Sequence, residues 1–290
     1  MGFDCGGSTT RVRVCDEESS VVFEGRGGPA NWAATPKTDI SASWRQALEG
    51  APRVSGVALC MAGVLTETDR QGASATLSSL VGAPVTTVPD FYATVAADEA
   101  ADIVVIAGTG AVVASLAKDG AVHRSGGGGY LLADEGSAAS IGRTALKAWL
   151  VPAEKPPVSN RFKEACHDTF GASEGNELLA AIYRTPHPAA AMACLAPAVV
   201  LDWVQGETYA KPCVEGPVES LAQEIRAHRR VYLPGSDSAT VGLAGGLWSI
   251  HPQLTTFVEQ RLVGDGLKVR RSHGDPLEGA VALARRYYGN

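Results

Sequence analysis

Asp4-Cys5-Gly6-Gly7-Ser8-Thr9-Thr10, read with the Met1-Gly2-Phe3 before it and the Arg11-Val12-Arg13-Val14-Cys15 after it, sets the frame of the fold. A short apolar strand ends on a carboxylate and turns through two glycines and two hydroxyl residues. It returns as Thr10 to Cys15, where polar and apolar residues alternate. Asp16-Glu17-Glu18-Ser19 then turns the chain into a third strand at Val21-Val22-Phe23-Glu24. Backbone N–H groups of such a hairpin turn can hold phosphate oxygens, and a carboxylate beside it can hold Mg2+ through water. An ordinary hairpin with an exposed Asp4 has the same sequence, so the turn needs company.

Outward from this meander, strand and helix signals alternate. Residues 54–61 form a dense apolar run suited to a strand buried on both faces. A helix is expected over 66–81, a strand over 85–88 ending at Pro89-Asp90, and a helix over 91–99. Ile103-Val-Val-Ile-Ala107 is a second buried strand; Gly108-Thr109-Gly110 stops it and 111–117 can pair back on it. Before these, Asp39 or Ser41 is a candidate cap for a helix to about residue 49. The second half is richer in helix: 137–150, 176–183, 188–203 and 217–230, with a proline-rich loop over 151–158. An apolar strand over 241–244 meets Gly245-Gly246 and precedes a further helix. Asp275-Pro276 caps a terminal helix to about 287. The pattern is α/β.

The 290 residues suffice for two lobes, and 45% apolar against 19% charged residues allows a substantial core. The net charge of −6 argues against a protein that lives on nucleic acid or an anionic membrane. No 18-residue apolar run is present, and Asp4 and Arg11 interrupt the start where a signal peptide needs an apolar stretch, so a cytoplasmic protein is expected. The six cysteines show no CxxC and no Cys/His metal spacing, which points to reduced, mostly buried thiols. Glycine is the outlier at 33 residues, grouped at 6–7, 25–28, 108/110, 126–129 and 245–246. Grouping between apolar runs suggests turns where backbone approaches a ligand. None fits GxGxxG before a helix, and no GxxxxGK[ST] occurs, which excludes a Walker-type site.

Three glycine turns, at 6–7, 108–110 and 245–246, follow strands in the order of the two phosphate loops and the adenosine loop of the actin-like ATPase fold. Gly126-Gly127-Gly128-Gly129-Tyr130-Leu131-Leu132-Ala133-Asp134-Glu135-Gly136-Ser137, followed by Ile141-Gly142, is more specific still. Here the sequence resembles the N-acetylglucosamine kinase family, within the wider group of benzoyl-CoA reductase and 2-hydroxyacyl-CoA dehydratase ATPases. The resemblance runs through Gly28-Pro29-Ala30-Asn31, Asp90, Ile106-Ala-Gly-Thr-Gly110, Leu195-Ala196-Pro197, Leu243 to Trp248 and Pro276-Leu-Glu-Gly-Ala280.

The resemblance implies a two-lobed α/β fold of the actin-like, ribonuclease H-like class, with an interlobe cleft. The first lobe would cover about 1–115, completed by the terminal helix from 276, and the second about 116–275. It further implies ATP-dependent phosphorylation of the 6-hydroxyl of N-acetylglucosamine or glucosamine. Asp4 would organise Mg2+, and Ser8, Thr9, Thr109 and Gly110 would hold the ATP phosphates. Gly245 and Gly246 would lie near adenosine. Asn31, Asp90, Gly127, Gly128, Gly129 and Asp134 would surround the sugar, with Asp90 as the base. By themselves, Asn31 also reads as a turn former and Asp90 and Asp134 as helix caps. Family members are often dimers, so a homodimer is an expected assembly.

The chain departs from the family pattern at Gly128, where a tryptophan is usual, and at Cys5, which replaces a glycine. The missing tryptophan removes an aromatic wall beside the sugar. Two other readings keep the fold: an ATPase activator of a CoA-ester reductase or dehydratase, and a non-catalytic sugar sensor. The activator would hold an iron–sulfur cluster through cysteines of two subunits, for which this sequence offers no convincing pair.

Overall fold

The computed structural model describes residues 1–117, 120–151, 154, 156–235 and 238–289. The chain divides into two compact units, Met1–Glu99 with His273–Asn290, and Ala100–Ser272.

The first unit runs β1 (Gly2–Cys5), β2 (Thr10–Cys15), β3 (Val21–Gly27), α1 (Lys37–Ala47), β4 (Val57–Met61), α2 (Glu67–Val81), β5 (Val85–Pro89) and α3 (Phe91–Ala96). Its sheet has the order β3-β2-β1-β4-β5. The hairpins β1–β2 and β2–β3 are antiparallel, whereas β1, β4 and β5 run parallel. Every residue of β4 is buried. Val57, Leu59 and Met61 join Phe3, Ile40, Trp44 and Leu77 on one face, and Ala58 and Cys60 join Ala93, Ala280 and Leu283 on the other. The period of two thus gives a bulky face and a small-residue face. Thr66 and Asp69 close a capping box at the start of α2, ended by the left-handed Gly82.

The second unit contains β6 (Ile103–Ala107), β7 (Ala111–Leu116), β8 (Val122–Gly126), α4 (Ala138–Leu150), α5 (Asn160–Phe170), α6 (Gly175–Arg184), α7 (Pro188–Val204), α8 (Ala210–Tyr232), β9 (Ala239–Ala244), α9 (Pro252–Leu262) and β10 (Leu267–Arg271). Its sheet order is β10-β9-β6-β7-β8. The last helix, α10 (Pro276–Tyr288), belongs to the first unit, and Asp275 caps it by accepting the Leu277 N–H at 3.1 Å.

Several expectations need correction. β6 and β7, assigned from sequence to the first lobe, belong to the second unit, because β6 pairs in parallel with β9 and β7 pairs with β8. The glycines at 25 and 27 serve packing within the fold and not a turn. A Cβ at Gly25 would stand 1.9 Å from the Ala47 carbonyl oxygen, and one at Gly27 would stand 2.0 Å from that of Ser43, so α1 lies directly on β3. α1 begins at Lys37 after Pro36, earlier than either proposed cap. α8 starts at Ala210 and runs through the buried Pro217, where a start had been expected. The loop over 151–158 falls partly outside the described residues.

Candidate active site

In the first unit the parallel strands β1, β4 and β5 end on one edge of the sheet. Asp4 stands opposite Cys60 in the β1–β4 register, and Met61 stands opposite Pro89 in β4–β5. Asp4 and Asp90 therefore stand at the carboxyl ends of strands on either side of β4, the edge where open α/β sheets bind ligands. After β1 the chain turns tightly, with the Gly6 N–H donating to the Thr9 carbonyl at 2.9 Å, and Ser8 and Thr9 are exposed at the tip. The Ala30 N–H donates to the Gly6 carbonyl at 3.0 Å, tying the Asn31 loop to this turn.

Asp90 accepts the Phe91 N–H at 2.9 Å, as the cap of α3. Solvent reaches it, yet its carboxyl is raised above the ordinary range. Desolvation among the strand ends is the larger cause, opposed by the Phe91 N–H, and the negative charge of Asp4 adds to it. Asn31 shapes its own turn, its Oδ1 accepting the N–H groups of Ala33 at 3.0 Å and Ala34 at 3.1 Å. The turn-former reading of Asn31 is therefore realised, whatever its amide group does besides.

One partner of Asp4 escaped the sequence analysis. Arg11 donates to Asp4 Oδ2 from Nε at 3.2 Å and from Nη2 at 2.7 Å, and its Nη1 reaches Asp275 Oδ1 at 2.9 Å. The signal was the hairpin itself, since a four-residue tip after Cys5 places Arg11 directly across from Asp4. Mg2+ usually binds through one or two carboxylates and otherwise through water and substrate phosphates. The residues fit that habit: Arg11 grips Oδ2 and leaves Oδ1 clear, and a divalent cation held there would offset the charge with which Asp4 raises the Asp90 carboxyl.

In the second unit β6 and β9 run parallel with Ile106 opposite Ala244, so the turn 108–110 and the pair Gly245-Gly246 emerge side by side. Gly245 has φ +96°, and a Cβ there would lie 2.3 Å from the Ala107 carbonyl oxygen; only glycine fits. Gly246 faces open space. Thr109 is exposed, and its turn is held from behind by α4: Ala138 donates to the Gly108 carbonyl at 2.8 Å and Ala139 to that of Thr109 at 3.3 Å. Asp134 lies over the same turn, with Oδ2 2.7 Å from where a Cβ of Gly110 would be. Asp134, from a later loop, is thus brought onto the Thr109-Gly110 turn.

Asp134 adopts φ +66°, a backbone state few side chains tolerate. It is nearly buried, and its Oδ1 accepts the Gly129 N–H at 3.3 Å. Burial raises its carboxyl above the ordinary range, against hydrogen bonds from the Gly129 and Ala111 backbone. It does not cap α4; Ser137 does, accepting the Ser140 N–H at 3.0 Å. Gly127 and Gly129 have φ +65° and +87°, whereas Gly128 lies outside the left-handed region. Glu135 pairs with Arg143 at 2.6 Å, closing the loop onto α4.

The sequence profile of the BadF/BadG/BcrA/BcrD ATPase family matches residues 1–284. The chain belongs to this family. A relative of nearly equal length is the N-acetylmuramic acid/N-acetylglucosamine kinase of Clostridium acetobutylicum, 24% identical over 300 residues that cover 98% of this chain and 97% of the relative. Among solved structures, a Chromobacterium violaceum protein taken to be an N-acetylglucosamine kinase superposes with TM-score 0.72 at 24% identity, over 97% of both chains. The ROK family glucokinase of Streptomyces griseus, in complex with glucose and AMPPNP, gives TM-score 0.58 at 15% identity over 98% of both chains. These likenesses place this BadF/BadG/BcrA/BcrD ATPase in the sugar-kinase and actin-like class of α/β folds. No helix among its described residues is long and apolar enough to cross a membrane.

Proposed function

We propose that this chain phosphorylates the 6-hydroxyl of an amino sugar, N-acetylglucosamine or glucosamine, with ATP as donor. Family membership and full-length kinase relatives make it an ATP-dependent phosphotransferase of the sugar-kinase type. The observation that carries the finer reading is the pair Asp4 and Asp90 at the ends of parallel strands, with the exposed Ser8–Thr9 turn beside Asp4.

In this reading Asp90 accepts the hydroxyl proton as the sugar oxygen attacks the γ-phosphorus and ADP departs. Its raised carboxyl suits a proton acceptor better than an ordinary carboxylate does. Ser8, Thr9, Thr109 and Gly110 hold phosphate oxygens, and Gly245 and Gly246 lie against adenosine. Asp4, steadied by Arg11, would hold Mg2+, which when bound neutralises charge spreading over the phosphoryl oxygens. Asn31, Gly127, Gly128, Gly129 and Asp134 bind the sugar.

The test is coupled ADP release against N-acetylglucosamine, glucosamine, N-acetylmuramic acid, N-acetylmannosamine and glucose. Turnover of an amino sugar at least tenfold more efficient than that of glucose is expected. ATP hydrolysis indifferent to every sugar would reject the reading in favour of an ATPase activator.

A further inference from the structure

We propose that Arg143 is a positioning residue for phosphoryl transfer, holding the loop that carries Asp134 in the arrangement in which it meets the acceptor sugar. The proposal rests on the kinase reading and deepens it, by naming the side chain that sets the sugar half of the site.

Asp134 stands in a backbone state that its surroundings must impose. A φ of +66° is costly for a residue with a side chain, and it persists only where other contacts over-determine it. The carboxylate itself accepts from backbone, the Gly129 N–H at 3.3 Å and that of Ala111. The residues just before give the loop no hold on the core, since Leu131 is 75% and Leu132 91% exposed.

Arg143 supplies a hold on both flanks of Asp134. It lies in the second turn of α4, and helical side chains lean toward the helix N-terminus. A long side chain at this position therefore reaches back over the loop that precedes Ala138. Its Nη1 donates to the Tyr130 carbonyl at 2.5 Å, before Asp134, and its Nη2 to Glu135 Oε1 at 2.6 Å, after it. Glu135 is fixed in turn through Oε2, which accepts the Ser140 hydroxyl at 2.6 Å. One planar fork thus spans the loop, a geometry that a guanidinium provides and a single ammonium nitrogen does not. α4 is a firm base for it: a Cβ at Gly142 would stand 1.9 Å from the Met192 carbonyl oxygen, so the helix is set directly against α7.

The neighbouring phosphate turn is held by different bonds. Ala138 and Ala139, in the first turn of α4, donate to the Gly108 and Thr109 carbonyls. Loss of the fork should therefore loosen the sugar half of the site and leave the nucleotide half in place. The competing reading is an ordinary surface ion pair. The Arg143 and Glu135 side chains are 34% and 46% exposed, and a pair so open to water adds little to stability. The readings differ in what a substitution disturbs. A surface pair changes nothing measurable, and a folding contact lowers the melting temperature and every activity together. A positioning fork lowers turnover of the sugar alone.

The experiment sets Arg143→Gln and Arg143→Lys beside wild type, by coupled ADP release with N-acetylglucosamine and by amide hydrogen exchange. Misplacing a substrate-positioning group by about 1 Å costs ~10²-fold, so Arg143→Gln should lower kcat/KM for the sugar by ~10–100-fold. KM for ATP and the melting temperature should stay near wild type. Arg143→Lys, which keeps the charge but not the fork, should recover only part of the loss. The Gly129, Leu132 and Ala133 amides, which are bonded within the loop, should exchange faster in Arg143→Gln, while those of Ala138 and Ala139 stay protected. Positioning by Arg143 is overturned if Arg143→Gln turns over the sugar as wild type does, or if its loop amides exchange at the wild-type rate. It is equally overturned if sugar turnover, KM for ATP and melting temperature worsen together. A wild type without sugar-dependent ADP release would instead remove the kinase reading, and amide exchange would still decide whether Arg143 fixes the loop.

Discussion

At the end of β5, the Asp90 carboxylate caps α3 through the Phe91 N–H and shares its surroundings with the charge of Asp4. Asparagine retains the capping oxygen but cannot take up the sugar proton. Asp90→Asn is therefore expected to lower kcat by ~10²–10⁴-fold while the melting temperature and ATP affinity stay near wild type. Since the carboxyl lies above its ordinary range, the acid limb of kcat/KM should fall above the ~3.9 of a free aspartate. Activity should be lost as pH drops through that limb. A variant within threefold of wild-type turnover would hand the role of base to Asp134. At this scale the sequence was informative where a carboxylate follows a strand, as at Asp4 and Asp90, because strand ends can be read from apolar runs. Arg11 was harder to see, since its significance depends on a cross-strand register. Asp134 read as a cap because its left-handed backbone and its position over Gly110 arise only in three dimensions.

Among the elements, α8 is hydrogen-bonded to the edge of its sheet through the imidazole of His228. His228 is fully buried between hydroxyls of β7 and β8, and its pKa is lowered to about 4 from 6.5, by burial first and by His123 second. The unfolded chain takes up a proton near pH 6.5, whereas the folded chain resists it down to about 4. The stabilisation is thus complete above pH 6.5 and is lost as pH falls between these values, on the order of 3 kcal/mol in all. Urea midpoints of wild type and His228→Gln should converge across that interval, the variant showing the shallower dependence. Parallel curves would mean that the imidazole takes up its proton as readily in the fold as in the unfolded chain. The elements legible in sequence were those with dense apolar runs or clear caps: β4, β6, α2, α4 and α10. β8 and β10 were missed because Val122-His-Arg-Ser-Gly126 and Leu267-Lys-Val-Arg-Arg271 are polar edge strands, as edges open to solvent tend to be. α5 has only Phe162 and Cys166 buried, too thin a stripe to show as a helical period.

On the scale of the whole molecule, the chain leaves its first unit at residue 99 and returns to it at 273. The first unit is therefore unfinished until the last helix has been made. α10 lays Leu277, Ala280, Leu283 and Ala284 into buried positions, and a Cβ at Gly279 would sit 1.9 Å from the Ala93 carbonyl oxygen, so α10 and α3 meet backbone to backbone. Its cap, Asp275, is gripped by Arg11 at 2.9 Å and Arg13 at 3.3 Å, which ties the helix to the strand facing Asp4. Burying that face is worth roughly 5 kcal/mol at ~25 cal/mol per Å2, a large share of the ~5–15 kcal/mol that holds a domain together. A chain ended at Ser272 should accordingly lose hydrogen-exchange protection in β1, β4 and β5, while amides of β6 and β9 stay protected. Leu283→Ala in the full-length chain provides the graded version, with an expected loss of ~2–5 kcal/mol from the first unit. Should β1 and β4 remain protected in the shortened chain, the first sheet folds without α10, and the Arg11–Asp275 link contributes only to the placement of Asp4.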